Sequence, residues 1–509
     1  MQMVRIAAAG FEGVDGYPVA VEVSRSESPN KVGRTTVVGL PDAAVRESID
    51  RVVPAIFASH LGHRPNDYLT INLAPADRRK EGPAFDLAIA VGLTTSMSEN
   101  GLAAPDDTVF LAELALDGGL RGVRGVLACA LAARAAGFAR MVVAPANARE
   151  AAVVDGLQVH APKDLASLAT ALRLGWEHLP PVPAGPTGAD TMPDDGPDLR
   201  DVCGQEHAKR ALAIAAAGGH NLMMIGPPGS GKTMLARRLP GLLPPLTLDE
   251  QLDVTRVHSV AGLVDGAGLV RRRPFRSPHH NISAVGLIGG GSVPRPGEVS
   301  LAHHGVLFLD ELPEYPRAVL ESLRQPLEDG RLTISRAAAR LEFPSRCMLV
   351  AAMNPCPCGY LGHPSRACSD SQDAIHRYRA RISGPLLDRI DIHLEVPAQR
   401  PEVLDAPRDG PGTASVRERV LCARDRMLAR QACTNAALDS RRLRRYARPS
   451  DEARTLLHQA VDELGLSARA HDRILKVART ITDLDGAETP GVEAVSEAIG
   501  YRLLDRQVW

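Results

Sequence analysis

Gly226-Pro227-Pro228-Gly229-Ser230-Gly231-Lys232-Thr233 is preceded by the apolar run Leu222-Met223-Met224-Ile225 and followed by Met234-Leu235-Ala236. Four consecutive apolar residues read as a buried strand and the residues after Thr233 as a helix, so the glycines fall at a strand-to-helix turn. Such a loop lets backbone N–H groups close around phosphate oxygens, and the helix N-terminus adds its positive end. In this pattern Lys232 reaches the β- and γ-phosphates and the Thr233 hydroxyl is left for Mg²⁺, which makes ATP or GTP the expected substrate.

Working outward, 509 residues exceed what one core serves, so several domains are expected. Composition shifts at Pro180-Pro181-Val182-Pro183-Ala184-Gly185-Pro186, and proline, glycine and acidic residues continue to Pro197. A weaker break runs from Pro401 to Ser415. The expected organisation is a domain at 1–176, a linker at 177–197, a nucleotide-binding domain at 198–400 and a helical domain at 416–509. The first segment alternates strand-like runs (18–23, 35–38, 68–73, 141–144) with helical ones (43–59, 85–94, 125–136), which predicts an α/β domain. The middle segment opens on an apolar-faced helix at 205–217 and offers strands at 306–309 and 348–352, the plan of a parallel-sheet nucleotide fold. The fold class is therefore α/β with a helical C-terminal part.

A net charge of −1 gives no global attraction to nucleic acid, so any such contact must come from local basic patches. The longest apolar run, Ala211 to Ile225, is interrupted by Gly218, Gly219, His220 and Asn221 and does not predict a membrane span. The N-terminus carries no signal-peptide pattern. Eight sparse cysteines argue against a disulfide scaffold, so a reducing cytoplasm is expected.

Gly305-Val306-Leu307-Phe308-Leu309-Asp310-Glu311 is an apolar strand that ends in two carboxylates. Asp310 suits Mg²⁺, and Glu311 beside it suits the general base that polarises the attacking water. Met348-Leu349-Val350-Ala351-Ala352-Met353-Asn354-Pro355 is a second such strand ending in an amide that can orient this water. Arg389, in Leu386-Leu387-Asp388-Arg389-Ile390-Asp391, lies near a predicted helix end from which it can reach a neighbouring subunit's γ-phosphate; a surface salt bridge is the other reading.

The order of phosphate loop, Leu-Asp-Glu strand, Asn-Pro strand and Leu-Leu-Asp-Arg-Ile-Asp resembles the AAA+ ATPases, specifically the magnesium-chelatase-like branch. The resemblance implies that Val202 and Gln205 lie in the box against adenine, that Arg389 is a trans-acting arginine finger and that Arg469 is the sensor-2 arginine of a helical lid. It also implies a ring, a homo-hexamer with ATP sites between subunits. Thr35-Thr36-Val37-Val38-Gly39-Leu40-Pro41, Leu111 to Gly118 and Leu466 to Thr480 each look like blocks of the YifB/ComM family, whose known work is ATP-driven branch migration of DNA in natural transformation. Lys80-Glu81-Gly82-Pro83-Ala84 is similar to a Lon-protease segment, which implies a ribosomal S5 domain 2-like fold for the first domain. Ala84 stands at the position of the Lon nucleophilic serine and Leu127 at that of the lysine, so the dyad is lost.

Three sets of residues bear on partners and metals. The glycine-rich insertion from Asn281 to Arg295 reads as a loop, and Arg331 to Phe343 as two short strands around a tip. In ring motors that resemble this chain such elements project into the pore, where Arg295, Arg331, Arg336 and Arg340 would meet DNA phosphates; solvated surface arginines are the other reading. Cys356, Cys358, His363 and Cys368 can supply three thiolates and an imidazole for zinc, or form a reduced, metal-free loop. Relatives in the family often carry a cysteine where this chain has Asp370. The expected function is thus a DNA-moving ring ATPase using ATP and Mg²⁺, and a chelatase motor subunit or a nucleotide-switched scaffold are the alternatives.

Overall fold

The computed structural model describes residues 2–27, 33–62, 67–97, 102–183, 196–264, 266, 268–291, 294–336, 339–400, 403 and 410–502. The proline-rich stretch read as a linker lies largely outside them. The chain divides into two units, the first of residues 1–190, 248–270 and 337–342, the second of 191–247, 271–336 and 343–509. No helix among the described residues is long and apolar enough to cross a membrane.

The first unit is built on a seven-stranded sheet, ordered Arg34–Val38, Asp67–Ala74, Asp15–Glu27, Gln2–Glu12, Thr108–Leu111, Arg140–Val143, Gln158–His160. Leu69, Ile71 and Leu73 alternate with more exposed residues, so period-2 patterning sets which face meets the core. The helix Asp86–Thr95 is buried from residue 86 to 94 and fills the layer beneath. Each fully buried Leu, Ile, Val or Phe there stabilises by roughly 1.5–3 kcal/mol before entropy is charged against it. The helix Leu248–Ala261 belongs to this unit: Ser259 O accepts the Gly125 N–H at 3.1 Å, and Leu252 packs on the cluster holding Leu127 and Cys129.

In the second unit five parallel strands are ordered Phe275–Arg276, Val306–Leu309, Met348–Met353, Leu222–Ile225, Ile392–Glu395. The three central strands are buried at every residue, the pattern of a sheet covered on both faces. In register, Ile225 faces Met353 and Leu309 faces Ala351, so the carboxyl ends of these strands stop side by side. The next residues along the chain, Gly226, Asp310 and Asn354, therefore gather at one edge, where open α/β sheets take ligands.

The C-terminal part is helical: Thr413–Gln431, Asp451–Leu464, Ala468–Asp485 and Val492–Gly500. Ser450 and Ser467 cap two of these helices by accepting the N–H of Ala453 and Ala470, each cap contributing ~1 kcal/mol. One expectation fails here. The glycine-rich insertion is no plain loop, because Ser283 caps a short helix, Ala284–Ile288, and Gly289–Gly290 pairs antiparallel with Arg295–Pro296. The side-chain cap and the ladder hydrogen bonds supply the backbone partners that glycine content alone does not reveal.

Candidate functional site

The phosphate loop runs from the strand Leu222–Ile225 into the helix Lys232–Leu242. Gly231, at φ +94°, turns the chain into the helix in a conformation that costs glycine little. Lys232 is buried, and its Nζ donates to Gly226 O (2.7 Å), Pro227 O (2.9 Å) and Asn354 Oδ1 (3.2 Å). Burial lowers the Lys232 pKa, while the nearby carboxylates of Asp310 and Glu311 pull it back up. Thr233 Oγ1 donates to Asp310 Oδ2 at 2.7 Å. Lysine, hydroxyl, carboxylate and amide thus meet at one point, as their strand ends require.

Glu311 adopts φ +52°, a left-handed conformation costly for a residue with a Cβ and typical of functional turns. Its N–H donates to Asp310 Oδ1 at 3.0 Å, and its Oε2 stands 3.3 Å from His280 Nδ1. His280 was missed in the sequence; the adjacent His279-His280 pair after Pro278 was the only signal. Tyr315 lies close by and donates to Pro278 O at 2.6 Å; burial, then the fields of Asp310 and Glu311, raise its pKa.

Gln205 enters the helix Glu206–Gly218 at φ +57°, and its Nε2 donates to Pro397 O (2.8 Å) and to Ser230 O (3.3 Å) of the phosphate loop. Val202 is buried nearby in sequence, donating its N–H to Leu199 O. Arg389 does not join Lys232: its guanidinium pairs with Glu328 and donates to Pro385 O at 2.7 Å. Arg469, largely exposed, pairs with Asp388 at 3.0 Å. The two arginines expected to act on phosphate thus sit beside one another in sequence-distant elements, through neighbouring residues 388 and 389.

The strands Arg331–Arg336 and Ala339–Pro344 form the expected hairpin, with Arg331 and Arg340 exposed. The Arg336 side chain lies outside the described residues. The Gly289 backbone lies against Ile334, where a Cβ would stand 3.4 Å from its Cδ1, so the short ribbon carrying exposed Arg295 borders this hairpin.

The cysteine cluster corrects one residue. Sγ atoms of Cys356, Cys358 and Cys368 lie 3.4, 3.5 and 3.6 Å apart in pairs, and the fourth donor in reach is Asp370, not His363. The Asp370 carboxylate is fixed there by the Cys358 N–H at 2.7 Å, whereas His363 Nδ1 is engaged by Ser365 N–H at 3.2 Å. In the first unit, Ala84 packs on the apolar cluster that contains Leu127. Lys80 is fully buried with its ammonium donating to the carbonyls of Pro75 and Arg78. The Leu127 N–H donates to the buried Glu150, whose pKa is raised by burial.

A parallel sheet with this strand order, a phosphate loop after the strand next to one edge, and Asn354 and Asp310 after the two strands beyond it defines an AAA+ nucleotide-binding module of magnesium-chelatase type. Family models match in three stretches: "Subunit ChlI of Mg-chelatase" at residues 21–147, "Magnesium chelatase, subunit ChlI" at 198–404 and its C-terminal part at 410–502. The Competence protein ComM of Haemophilus influenzae is 43% identical over 515 residues, covering 99% of this chain and 98% of that protein. Uncharacterized protein YifB of Escherichia coli is 42% identical over 97% of this chain and 96% of its own length. Uncharacterized protein Rv2897c of Mycobacterium tuberculosis is 42% identical over 99% of both. The chain belongs to the magnesium-chelatase-like YifB/ComM family and is an AAA+ ATPase of that type.

Proposed function

We propose that this chain is a cytoplasmic ring motor, a homo-hexamer, that hydrolyses ATP and uses the energy to translocate along or remodel DNA. The observation that carries the reading is the meeting of Lys232, Thr233, Asp310 and Asn354 at the carboxyl ends of three adjacent strands. Lys232 would bind the β- and γ-phosphates, exchanging its bonds to the Gly226 and Pro227 carbonyls for phosphate oxygens. The oxygen donors of Thr233 and Asp310 fit a hard cation, and Mg²⁺ held there would neutralise developing charge on the phosphates. Glu311 accepts the proton of the attacking water and Asn354 orients that water. Gln205 and Val202 line the adenine side of the nucleotide.

Arg389 and Arg469 lie away from their own chain's Lys232 cluster in the contacts they make, which suits completion of a neighbour's pocket in a ring. Support for DNA as the substrate is the full-length likeness to a protein named for competence, together with the bordering ribbons that carry Arg295, Arg331, Arg336 and Arg340. Repeated around a ring, these arginines would contact phosphates without reading bases. A chelatase subunit shares the ATPase core, and DNA-stimulated hydrolysis separates the two.

The test is ATP turnover with and without single-stranded and branched DNA. Wild-type turnover should rise with DNA, and Arg336→Ala combined with Arg340→Ala should remove most of the rise while basal turnover stays within about twofold. Stimulation that persists undiminished in the double variant removes the hairpin from DNA contact, and no stimulation by any DNA removes the DNA reading.

A further inference from the structure

Beyond the nucleotide site, the structure assembles a second donor set. The three Sγ atoms of Cys356, Cys358 and Cys368 form a triangle with edges of 3.4–3.6 Å, and none is in a disulfide. Asp370 Oδ2 completes the group, 3.8 Å from Cys368 Sγ, with all four donor atoms within 4.8 Å of one another. Thiolates bound tetrahedrally at ~2.3 Å from zinc are separated by about 3.8 Å, so a small outward movement of each sulfur admits the ion. Three soft thiolates select zinc over Mg²⁺ or Ca²⁺, and one carboxylate leaves the coordination set at four.

The chain ties this cluster to the phosphate site. Cys356 follows Asn354 and Pro355 directly, and the Pro355 carbonyl accepts two N–H bonds from Arg379 at 3.2 and 3.1 Å. The Gly359 N–H closes the turn onto Cys356 O at 3.0 Å. Gly359 has φ +84°, and a Cβ added there would stand 2.7 Å from Pro228 Cδ in the phosphate loop, so the cysteine turn rests on that loop.

We propose that Cys356, Cys358, Cys368 and Asp370 bind zinc, and that the ion locks the turn that holds Asn354 and the phosphate loop in their working positions. Asp370, not His363, is the fourth ligand. The metal site stands on the donor geometry alone; its effect on turnover rests on the ATPase reading above.

The test uses full-length protein purified without chelator, its metal measured by elemental analysis and, after cobalt exchange, by the thiolate-to-cobalt charge-transfer band. Wild type and His363→Ala should hold about one equivalent, Cys368→Ser and Asp370→Ala less than about half, and Asp370→Cys should retain the ion. A wild type that stays metal-free after incubation with zinc overturns the site, as does His363→Ala losing the ion while Asp370→Ala keeps it. Gly359→Ala leaves every ligand in place and should keep the metal while cutting ATP turnover about tenfold or more, through the clash with Pro228 and the strained φ. Normal turnover in Gly359→Ala, or in wild type stripped of zinc, overturns the coupling. A zinc-loaded wild type without any ATP turnover contradicts the ATPase reading and with it the coupling, leaving the metal site intact.

Discussion

Replacing Lys232 with alanine should lower kcat for ATP hydrolysis by about 10²-fold or more, the loss expected when one preorganised charged donor is removed from a transition state. Lys232 is a buried cation held by phosphate-loop carbonyls within the field of Asp310 and Glu311, so its removal also leaves those two negative charges uncompensated near an incoming polyphosphate. Nucleotide affinity should fall with turnover, since the ammonium contacts ground state and transition state alike. Lys232→Arg should fare little better, because a planar guanidinium does not fit a buried point-charge position that feeds three oxygens. Glu311→Gln should differ in kind: nucleotide binds normally and hydrolysis stalls, as expected when only the general base is lost. Phosphate release and a fluorescent nucleotide titration distinguish these outcomes. Turnover in Lys232→Ala within about threefold of wild type would contradict the assigned role of the loop.

The second large effect is on stability and centres on Asp391. This carboxylate is buried, bonded by His220 Nδ1 at 2.9 Å and paired with Arg473 of the helix Ala468–Asp485; His220 Nε2 in turn meets Thr480 Oγ1 at 2.8 Å. The network joins the segment leading into the strand Ile392–Glu395 to the helix Ala468–Asp485, and within it Asp391, His220 and Thr480 are buried while Arg473 is half-buried. Asp391→Ala should therefore destabilise by about 3 kcal/mol, since it strands the buried His220 imidazole and takes the partner from the half-buried Arg473 guanidinium. Burial works to raise the Asp391 pKa, but the His220 bond and the charges of Arg473 and His220 outweigh it and hold the group well below the usual range. A carboxylate with a depressed folded pKa stabilises the protein above its unfolded pKa of about 3.9 and loses that contribution as pH falls further. Urea unfolding should show the gap between wild type and Asp391→Ala at pH 7, narrowing on acidification below about pH 4. A constant gap across that range would mean the carboxylate's charge does not carry the effect.

The meeting of Lys232, Asp310 and Asn354 was readable in outline because the strands that place these residues are plain in the sequence. Leu222 to Ile225, Val306 to Leu309 and Met348 to Met353 are short continuous apolar runs, and each is followed directly by a candidate residue, Gly226, Asp310 or Asn354. What the sequence did not show depends on long-range geometry. The strand Gln2–Glu12 carries three consecutive alanines, weak strand formers that only its pairing with Asp15–Glu27 organises. Asp370 rather than His363 stands as the fourth donor because the Cys358 backbone N–H fixes its carboxylate; the sequence pointed to position 370 only through the cysteine that relatives often carry there, and an aspartate did not read as its equivalent. His280 reaches Glu311 from a segment with no helix or strand periodicity. Nor does chain continuity announce that residues 248–270 and 337–342 group with the first unit.

In the proposed ring, one protomer's pocket is completed by Arg389 of the next. Complementation between two inactive variants tests it directly: Lys232→Ala retains the arginine but not the pocket, and Arg389→Ala retains the pocket but not the arginine. Each alone should be nearly silent, and their one-to-one co-assembly should recover up to about one quarter of wild-type turnover, the share of randomly paired seams with both elements intact. A co-assembled mixture that stays as silent as its components would rule out completion of the pocket by a neighbour's Arg389.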